Sequence, residues 1–420
     1  MAEGATASQE WRAGWPVVVA CMGGMTLLGL GFLTIPTFFA PLEREFHWSR
    51  GQFSSAFLVY AVASVFLAPL VGRVLDRWGV RRLALAGCVL VGIAWALFAT
   101  LTGSLVQWLL LWLLLASACQ MIMVTVWSAA ISRYFTVSRG LALSFTMGAN
   151  GGTQLIAPNL TNHLIETEGW RTAFVVMGLG WGAVVTILCF FLLKDRRPTQ
   201  AEVAGAPAAE LPGYSVRDGV RSASFIKIGA AVFLCYMLTN SLMIHLVPLL
   251  ESRGIGHDPA VWIYSSLGIT GALANVASGY LVDRLPAKPV AVALVALPAI
   301  ACLLLLQPSP SFWQRFIAAN IFGIAAGGQM PALVYLATRH FGLRSFGTLF
   351  GFVGSAMAIA SAVAPALAGL LFDRTHSYTL FLTISIPLAL VGALVVFSLG
   401  RYPAFAAESE SPQAGDPLTA

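Results

Sequence analysis

The chain has 420 residues, of which 58% are hydrophobic and 10% are charged, and its mean hydropathy is +0.80. A soluble domain would carry roughly 25% charged residues, so this composition excludes an ordinary soluble protein. The net charge of +6 is compatible with basic loops beside a membrane, and no long basic run interleaved with aromatic residues indicates a nucleic-acid partner.

Apolar stretches alternate with charged or turn-rich breaks along the chain. A stretch of about 20 apolar residues can cross a hydrocarbon core of roughly 30 Å as a helix. The pattern predicts an all-α integral membrane protein with twelve transmembrane helices. The predicted spans lie near residues 15–40, 52–72, 83–101, 105–132, 140–161, 172–193, 225–250, 260–282, 290–306, 312–338, 345–371 and 378–400.

Basic residues are distributed unequally between the two sides of the predicted membrane. An even number of spans places both termini on one side. The loops on that side hold 17 Lys and Arg residues, whereas the loops on the other side hold 5. Because positively charged loops remain in the cytoplasm, we predict a multi-pass protein of the cell inner (plasma) membrane with both termini cytoplasmic.

A long polar segment divides the chain into two halves. Residues 194–224 are rich in charged residues, Ala, Gly and Pro, as is typical of a linker. We therefore predict a cytoplasmic N-terminus over 1–14, a six-helix bundle over 15–193, a cytoplasmic linker over 194–224 and a second six-helix bundle over 225–401. Residues 402–420, rich in Ala, Glu, Ser and Pro, are predicted to form a disordered cytoplasmic tail.

The loop between the second and third spans concentrates unusual residues. Residues 72–82 contain two glycines, one aspartate and four arginines. The glycines allow a tight turn and close helix approach, and the arginines favour a cytoplasmic loop. Asp76 is either an incidental residue of a basic loop that sets topology or a functional carboxylate.

The loop pattern is repeated in the second half of the chain. Gly279–Arg284 repeats the glycine and the Asp-Arg pair of the first loop at an offset of 207 residues. An internal repeat in a hydrophobic chain favours a transporter built from two related halves. The same offset relates Pro41 to Pro248, Gly140 to Gly347, Ala157 and Pro158 to Ala364 and Pro365, and Phe174 to Phe381.

The chain resembles the major facilitator superfamily over roughly residues 15–400. Residues 72–82 match every fixed position of that family's loop signature, Gly-x-x-x-Asp-Arg-x-Gly-x-Arg-Arg. In the degraded copy, Leu285 and Pro286 follow the Asp-Arg pair. The resemblance implies two pseudo-symmetric six-helix bundles that move around a central site by alternating access.

Four further segments look like the monocarboxylate and oxalate:formate transporter branch of that family. They are Phe46–Arg50, Tyr134–Ala142, Gly169–Phe174 and Gly369–Arg374. This branch moves small organic anions, many with protons or by exchange. The resemblance therefore implies a small carboxylate as substrate.

The chain departs from this branch at the positions that commonly carry charge in the cavity. The arginine of the eighth helix is replaced by Asn275, and the aspartate one turn earlier by Gly271. The lysine of the eleventh helix is missing, since residues 345–371 contain no charge. Donors for an anion would have to come from amides or helix dipoles.

The superfamily resemblance implies that the two loop motifs form a latch in the outward-facing state. Asp76 would pair with Arg133 or Arg139, or cap the eleventh helix. Asp283 with Arg339 would be the pseudo-symmetric pair. The alternative is a role in folding and topology only. The predicted latch residues are Gly72, Asp76, Arg77, Arg133, Arg139, Gly279, Asp283, Arg284 and Arg339.

Glycine pairs recur in the fifth and eleventh predicted helices. Gly148 and Gly152 have the GxxxG spacing, as do Gly347 and Gly351. Small residues at this spacing let two helix backbones approach closely. The pairs predict either tight static packing or a sliding interface.

The substrate site of such a transporter lies near mid-membrane between the halves. The neutral polar residues there either bind a carboxylate or hydroxyl or connect helices by hydrogen bonds. We favour Gln154, for its depth in the fifth helix, and Asn275, for its family position. The predicted substrate-binding residues are Gln120, Trp127, Asn150, Gln154, Asn240, Asn275, Gln329 and Tyr335.

His245 is the only ionisable side chain well inside a predicted span, apart from tyrosines and cysteines. A neutral histidine there is either a hydrogen-bonded core residue or a group that exchanges a proton near neutral pH. Its position near the outer end of the seventh helix favours a gate over a central site.

These observations predict a secondary active transporter that moves a small mono- or dicarboxylate by proton symport or anion exchange. One alternative is transport or efflux of a neutral or amphipathic solute, and another is a receptor that binds without turnover. We find no nucleophile–base pair, metal-ligand cluster or phosphate loop, so no enzymatic activity, metal or cofactor is predicted. The expected partners are a small-molecule substrate and the lipid bilayer, with the chain acting as a monomer.

Overall fold

The structure is a computed structural model, and it describes residues 7–135, 138–194, 213–308, 311–342 and 344–403. Nearly all of these residues are helical, and the only β-bridge among them joins Gly213 to Gly342. The predicted all-α fold class is confirmed.

Six long helices form the first half of the chain. A 3-10 turn (Leu97–Thr100) extends α3, a short break after Gln120 divides α4, and a π turn (Val176–Trp181) lies inside α6. The helices are α1 (Ala7–Phe46), α2 (Arg50–Trp78), α3 (Val80–Ala96), α4 (Leu105–Gln120 and Val124–Ser132), α5 (Arg139–Glu168) and α6 (Trp170–Leu192).

The second half repeats this plan after a short linker helix (Val216–Arg221). Its helices are α7 (Ala223–Ser252), α8 (His257–Arg284), α9 (Ala287–Leu306), α10 (Phe312–Phe341), α11 (Phe346–Thr375) and α12 (Thr379–Phe397).

Eleven of these helices are long and apolar enough to cross a membrane. The exception is α5, which carries Asn150, Gln154, Asn159 and Asn162 and is therefore less apolar than the others. Its 30 residues are nevertheless ample in length for a span. The protein is a multi-pass membrane protein.

Local sequence explains where several helices begin and turn. Ser49, Ser104, Ser222 and Ser311 each accept a hydrogen bond from the backbone amide three residues later, which caps α2, α4, α7 and α10. At the sharp joint between α2 and α3, Gly79 has a φ of 78°, a conformation that favours glycine.

The helices extend beyond the predicted spans. The first span, predicted near residues 15–40, runs over Ala7–Phe46, so most of the predicted polar N-terminus over 1–14 is helical. Glu10 is buried there, and its carboxylate accepts a hydrogen bond of 2.9 Å from the backbone amide of Ser138. This contact at the start of α5 gives a charged residue a partner inside the fold.

Most of the linker predicted over 194–224 lies outside the described residues, as does nearly all of the predicted tail over 402–420. The described end of the linker packs on the second half. The Tyr214 amide donates to the carbonyl oxygen of Phe341, and Gly219 lies against Leu349.

Each half has its own hydrophobic core. In the first half the core is aromatic: Phe38 stacks on Phe174 with ring centroids 3.9 Å apart, and Trp95, Trp108 and Trp112 are fully buried beside them. The cores of the second half contain mostly Leu, Val and Ala. All six cysteines are buried and free, as expected for packing residues.

We call the end of the molecule that contains the start of α1 the terminal end, and the opposite end the far end. Because successive helices alternate in direction, the end of α12 also lies at the terminal end. There Lys227 and Lys288, at the starts of α7 and α9, donate to carbonyl oxygens of Ser398 and Leu399 just after α12. The connection between α1 and α2 lies at the far end.

Candidate gate and cleft between the two halves

The described contacts between the halves join α1 with α7, α2 with α11 and α5 with α8. At the far end, the start of α2 meets the end of α11. The Asp373 carboxylate accepts hydrogen bonds from the backbone amides of Arg50 (2.9 Å) and Gly51 (2.8 Å). These amides belong to the first turn of α2 and have no partner within the helix, so an acid of one half caps a helix of the other.

Small residues allow this close approach. A Cβ atom on Gly369 would lie 2.7 Å from the carbonyl oxygen of Arg50. A Cβ atom on Gly51 would lie 2.8 Å from a carboxylate oxygen of Asp373. Because the obstructing atom at Gly369 is backbone, any larger residue would force α2 and α11 apart.

The guanidinium group of Arg50 is buried in this interface. Its Nη1 donates to the hydroxyl of Tyr378 at 2.7 Å and lies 3.5 Å from the carbonyl oxygen of Pro248. Its central carbon lies 3.7 Å from the centroid of the Phe372 ring, a cation–π contact. In the first half, Glu43 lies 3.6 Å from Nε.

His245 continues this network toward the membrane interior. Its Nδ1 lies 2.9 Å from the Tyr378 hydroxyl, and its Nε2 lies 2.9 Å from the carbonyl oxygen of Pro365 and 3.3 Å from the Ser54 hydroxyl. The Tyr378 oxygen accepts from Arg50, so its proton points to Nδ1, and Nε2 carries the proton that Pro365 accepts. The network is therefore complete with a neutral imidazole. We call Arg50, Ser54, His245, Asp373 and Tyr378 the far-end gate.

The contact between α5 and α8 reaches from the far end to the middle of the helices. Asn162 donates to Asp258 at 2.7 Å, and Gln154 donates to the carbonyl oxygen of Tyr264 at 3.1 Å. Deeper still, a Cβ atom on Gly151 would lie 2.9 Å from the Ala272 side chain. The two backbones touch at this level.

Toward the terminal end the halves separate. A Cβ atom on Gly72 of α2, Gly148 of α5 or Gly347 and Gly351 of α11 would meet no atom within 4 Å. The side chains of Asn275 and Val276 on α8 are exposed at the corresponding level. The structure is therefore closed between the halves at the far end and open at the terminal end.

The GxxxG pairs of α5 and α11 make no tight contact in this structure. A Cβ atom on any of their four glycines would meet no atom within 4 Å, so static packing at these pairs is not observed and the sliding interface stays a prediction. The close approaches are made instead by Gly151 with Gly268, and by Gly271 with Gly323 and Gly327. Spacing alone does not show which face of a helix meets a neighbour.

Three predicted substrate-binding residues pack inside one half. Trp127 is 1% exposed, donates to the carbonyl oxygen of Ile122 and lies against Gly24. Gln120 donates to Ser64 at 2.7 Å, and Gln329 donates to the carbonyl oxygen of Leu294 at 3.2 Å. In this structure the polar groups of all three have partners within their own half, and their role in substrate binding stays a prediction.

The other five predicted residues are placed between the halves or remain partly exposed. Gln154 lies in the α5–α8 contact, and Asn150 lies beside Gly29 of α1 with its Oδ1 unpartnered. Asn240 donates to a carbonyl oxygen of its own helix. The Asn275 amide donates to the carbonyl oxygen of Gly327 at 3.3 Å, and Tyr335 is partly exposed.

The predicted latch residues lie at the open terminal end. The pair of Asp283 with Arg339 is not formed: Asp283 is exposed, and Arg339 stacks over the Tyr402 ring instead. Likewise, Arg284 stacks over Tyr280 of its own helix. Both residues belong to the second half, so the opening between the halves does not account for the missing pair.

The first copy of the motif is described only in part. The side chains of Asp76 and Arg139 lie outside the described residues. Arg77 is exposed, Arg133 is partly buried, and both Gly72 and Gly279 face open space. The Asp76 pairing therefore stays a prediction.

Comparison with known proteins agrees with this architecture. The family model described as Major Facilitator Superfamily matches residues 20–261 and 228–420. The chain belongs to the major facilitator superfamily. The predicted recognition is thereby confirmed, and the protein is a membrane transporter of this family.

Several relatives of this major facilitator protein carry the name monocarboxylate transporter. Monocarboxylate transporter 11 of Mus musculus is 26% identical over 410 residues, covering 92% of this chain and 88% of the relative. Monocarboxylate transporter 13 of Bos taurus is 22% identical, and the match covers 95% of this chain and 92% of the relative. An uncharacterized MFS-type transporter, YcxA of Bacillus subtilis, is 23% identical, and the match covers 85% of this chain and 88% of the relative.

Among solved structures, the crystal structure of a D-xylose-proton symporter is similar with a TM-score of 0.76. It is 14% identical and the match covers 93% of this chain and 98% of the symporter. At this identity the likeness shows the major facilitator fold alone.

Arg50, Asp373 and Tyr378 are gate residues that the sequence alone does not reveal. Arg50 and Asp373 stand inside two of the segments that resemble the monocarboxylate branch, which is the available signal. The sequence does not show that α2 and α11 meet at these two residues.

Proposed function

We propose that this major facilitator protein is a secondary active transporter that moves a small organic anion, a mono- or dicarboxylate, by alternating access. The observation that carries the proposal is the asymmetric contact between the halves, closed at the far-end gate and open at the terminal end. A central site that communicates with one side at a time is what alternating access requires.

We assign the terminal end to the cytoplasm of the cell inner membrane. The support is the excess of Lys and Arg in the loops at this end, 17 against 5. With this orientation the structure represents an inward-open state. Asp76, either paired with Arg133 or Arg139 or capping the start of α11, would then latch the cytoplasmic side in the outward-facing state.

Two observations support a carboxylate as the substrate. The relatives named monocarboxylate transporters match over most of their length. In addition, the gate contains a buried arginine whose planar donors match a carboxylate. The transport is coupled as proton symport or as anion exchange, and His245 is the residue proposed for a proton link because it lies in the gate.

Uptake into proteoliposomes tests the proposal. Labelled lactate and oxalate are offered beside neutral solutes of similar size, with and without an imposed inward proton gradient. Saturable uptake of a carboxylate is expected. Acceleration by the gradient would indicate proton symport, whereas dependence on an internal carboxylate would indicate exchange.

A second candidate function is transport of a neutral or amphipathic solute. It is favoured by one observation: Asn275, exposed on α8, replaces the arginine of the monocarboxylate branch. Uptake of a neutral solute with no carboxylate uptake would support this candidate and would contradict the anion proposal.

A further inference from the structure

One buried charge lies between the two halves. Among the described residues, the buried charged side chains apart from histidines are Glu10, Arg50 and Arg315. Glu10 contacts the start of α5 within the first half. Arg315 donates to the carbonyl oxygens of Leu304 and Leu305 within the second half. Of the three, Arg50 is the one that joins the halves.

The partners of the Arg50 guanidinium are divided unequally between the halves. Its hydrogen-bond acceptors, the Tyr378 hydroxyl and the Pro248 carbonyl oxygen, and the Phe372 ring all belong to the second half. Among the described residues of its own half, Glu43 is the one charged partner, at 3.6 Å from Nε, and Nε has no hydrogen-bond partner there. The Glu43 side chain is 42% exposed, so water screens its charge.

Opening of the far end would therefore remove both hydrogen-bond partners of Arg50 while the positive charge stays on the first half. A guanidinium presents a planar set of donors that a carboxylate matches with two parallel hydrogen bonds. An organic anion that arrives from the far side would meet these donors at the moment they become free.

The surface beside this site is accessible from the far end. Glu43, which approaches Arg50, also lines a far-end pocket of about 680 Å³. The pocket contains acidic and basic groups, among them Arg44, His47 and Glu251, so its own charge does not select an anion. Selection for negative charge needs a cation with free hydrogen-bond donors. Arg50 supplies one once the gate opens, because the exposed Glu43 carboxylate is then the only described group left beside its guanidinium.

We propose that Arg50 is the substrate-binding residue that holds the carboxylate on the far side of the membrane, an inference that rests on the proposed anion transport. In the far-open state the guanidinium binds the carboxylate. As the halves close, the Tyr378 hydroxyl, the Pro248 carbonyl oxygen and the Phe372 ring replace the carboxylate, which is released into the cleft that opens at the terminal end. The charge has a partner in both states.

A gate contact and a substrate anchor change the far-side KM in opposite directions. Loss of a gate contact raises the fraction of far-open molecules and so lowers the apparent KM for substrate from the far side. Loss of the anchor removes binding energy from that state and raises the same KM. The sign of the change therefore separates the two roles.

The test measures lactate and oxalate uptake in right-side-out and inside-out vesicles for four proteins: wild type, Arg50→Gln, Arg50→Lys and Asp373→Asn. Arg50→Gln is expected to raise the far-side KM by about tenfold or more, as for a lost charged hydrogen bond, with little change in the terminal-side KM. Arg50→Lys keeps the charge and should raise the far-side KM less than Arg50→Gln does. Asp373→Asn weakens the gate without touching the guanidinium and should lower the far-side KM.

A far-side KM that is unchanged or lowered in Arg50→Gln overturns the inference and leaves the anion proposal standing. If wild type carries neither carboxylate, the anion proposal fails and this inference fails with it. Should Arg50→Gln be folded but inactive, far-side binding is measured in right-side-out vesicles as the protection that lactate or oxalate gives a cysteine at Ile244, which packs against the first half, from a far-side maleimide. Protection equal to that of the protein with Arg50 intact and the same cysteine would also overturn the inference.

Discussion

Nε2 of His245 lies 2.9 Å from the carbonyl oxygen of Pro365, which joins α7 to α11 at the proline in the middle of that helix. The same ring nitrogen lies 3.3 Å from the Ser54 hydroxyl of the first half. One side chain thus contacts both the partner helix within its own half and the facing half. Closure at the far end is thereby linked to the position of α11.

Replacement of His245 by alanine should weaken far-end closure. The change would remove the contact with the Ser54 hydroxyl of the first half, and it would take one partner from the Tyr378 hydroxyl that receives Arg50, at a cost of about 1–3 kcal/mol to the closed state. The measurement is the rate at which a far-side maleimide modifies a cysteine introduced at Ile244, a buried residue that packs against the first half, and we expect this rate to rise at least about fivefold. His376, exposed at the far end, gives the control His376→Ala; an equal rate in both variants would contradict the role of His245.

Gly369→Ala should prevent full closure at the far end. The added methyl group would meet the Arg50 carbonyl oxygen at 2.7 Å, and backbone atoms cannot move aside without moving α2. We expect a lower transport rate and longer distances between spin labels on the ends of α2 and α11. Gly354→Ala on the same helix meets no atom within 4 Å and should transport normally; normal transport by Gly369→Ala would show that the contact is not needed.

Trp127→Ala should reduce stability without changing substrate affinity. The side chain is 1% exposed and fills the space beside Gly24, so its removal should cost about 3–5 kcal/mol in the free energy of unfolding. Thermal unfolding in detergent measures the loss, and Trp15→Ala, at a side chain that is 52% exposed, is the control. A large rise in KM at unchanged stability would instead support Trp127 as a substrate-binding residue.

Asp76→Asn should shift the protein toward the inward-facing state and slow transport. The expected cause is loss of the charge that pairs with Arg133 or Arg139 when the terminal end closes. Terminal-side accessibility of a cysteine at Gly351, which faces the open cleft, is the measurement. Glu168→Gln, an exposed acid at the far end, is the matched control. Cycling at the normal rate would rule out the latch.

Hydropathy and the repeat of the Asp-Arg loop were enough to predict the fold. The bilayer core offers no water to hydrogen-bond the backbone, so long apolar segments that cross it form helices, in which the backbone groups bond to one another. The pairings between helices were not predictable. Gly148 and Gly151 are chemically identical in the sequence, yet only Gly151 meets α8. The same limit applies to polar residues: Gln120 and Gln154 differ in role because one faces Ser64 in its own half and the other faces Tyr264.

Among the described contacts, the Arg50 guanidinium makes no ion pair with the second half, whose Asp373 carboxylate binds the backbone amide of Arg50. In the second half, Arg50 contacts a hydroxyl group, a carbonyl oxygen and an aromatic ring. Dissolved salt weakens attraction between exposed ions within a Debye length of about 8 Å at physiological ionic strength, but it screens buried contacts much less. These contacts should therefore have similar strength at low and at high salt concentration. We expect external ionic strength to have little influence on the lifetime of the state that is closed at the far end.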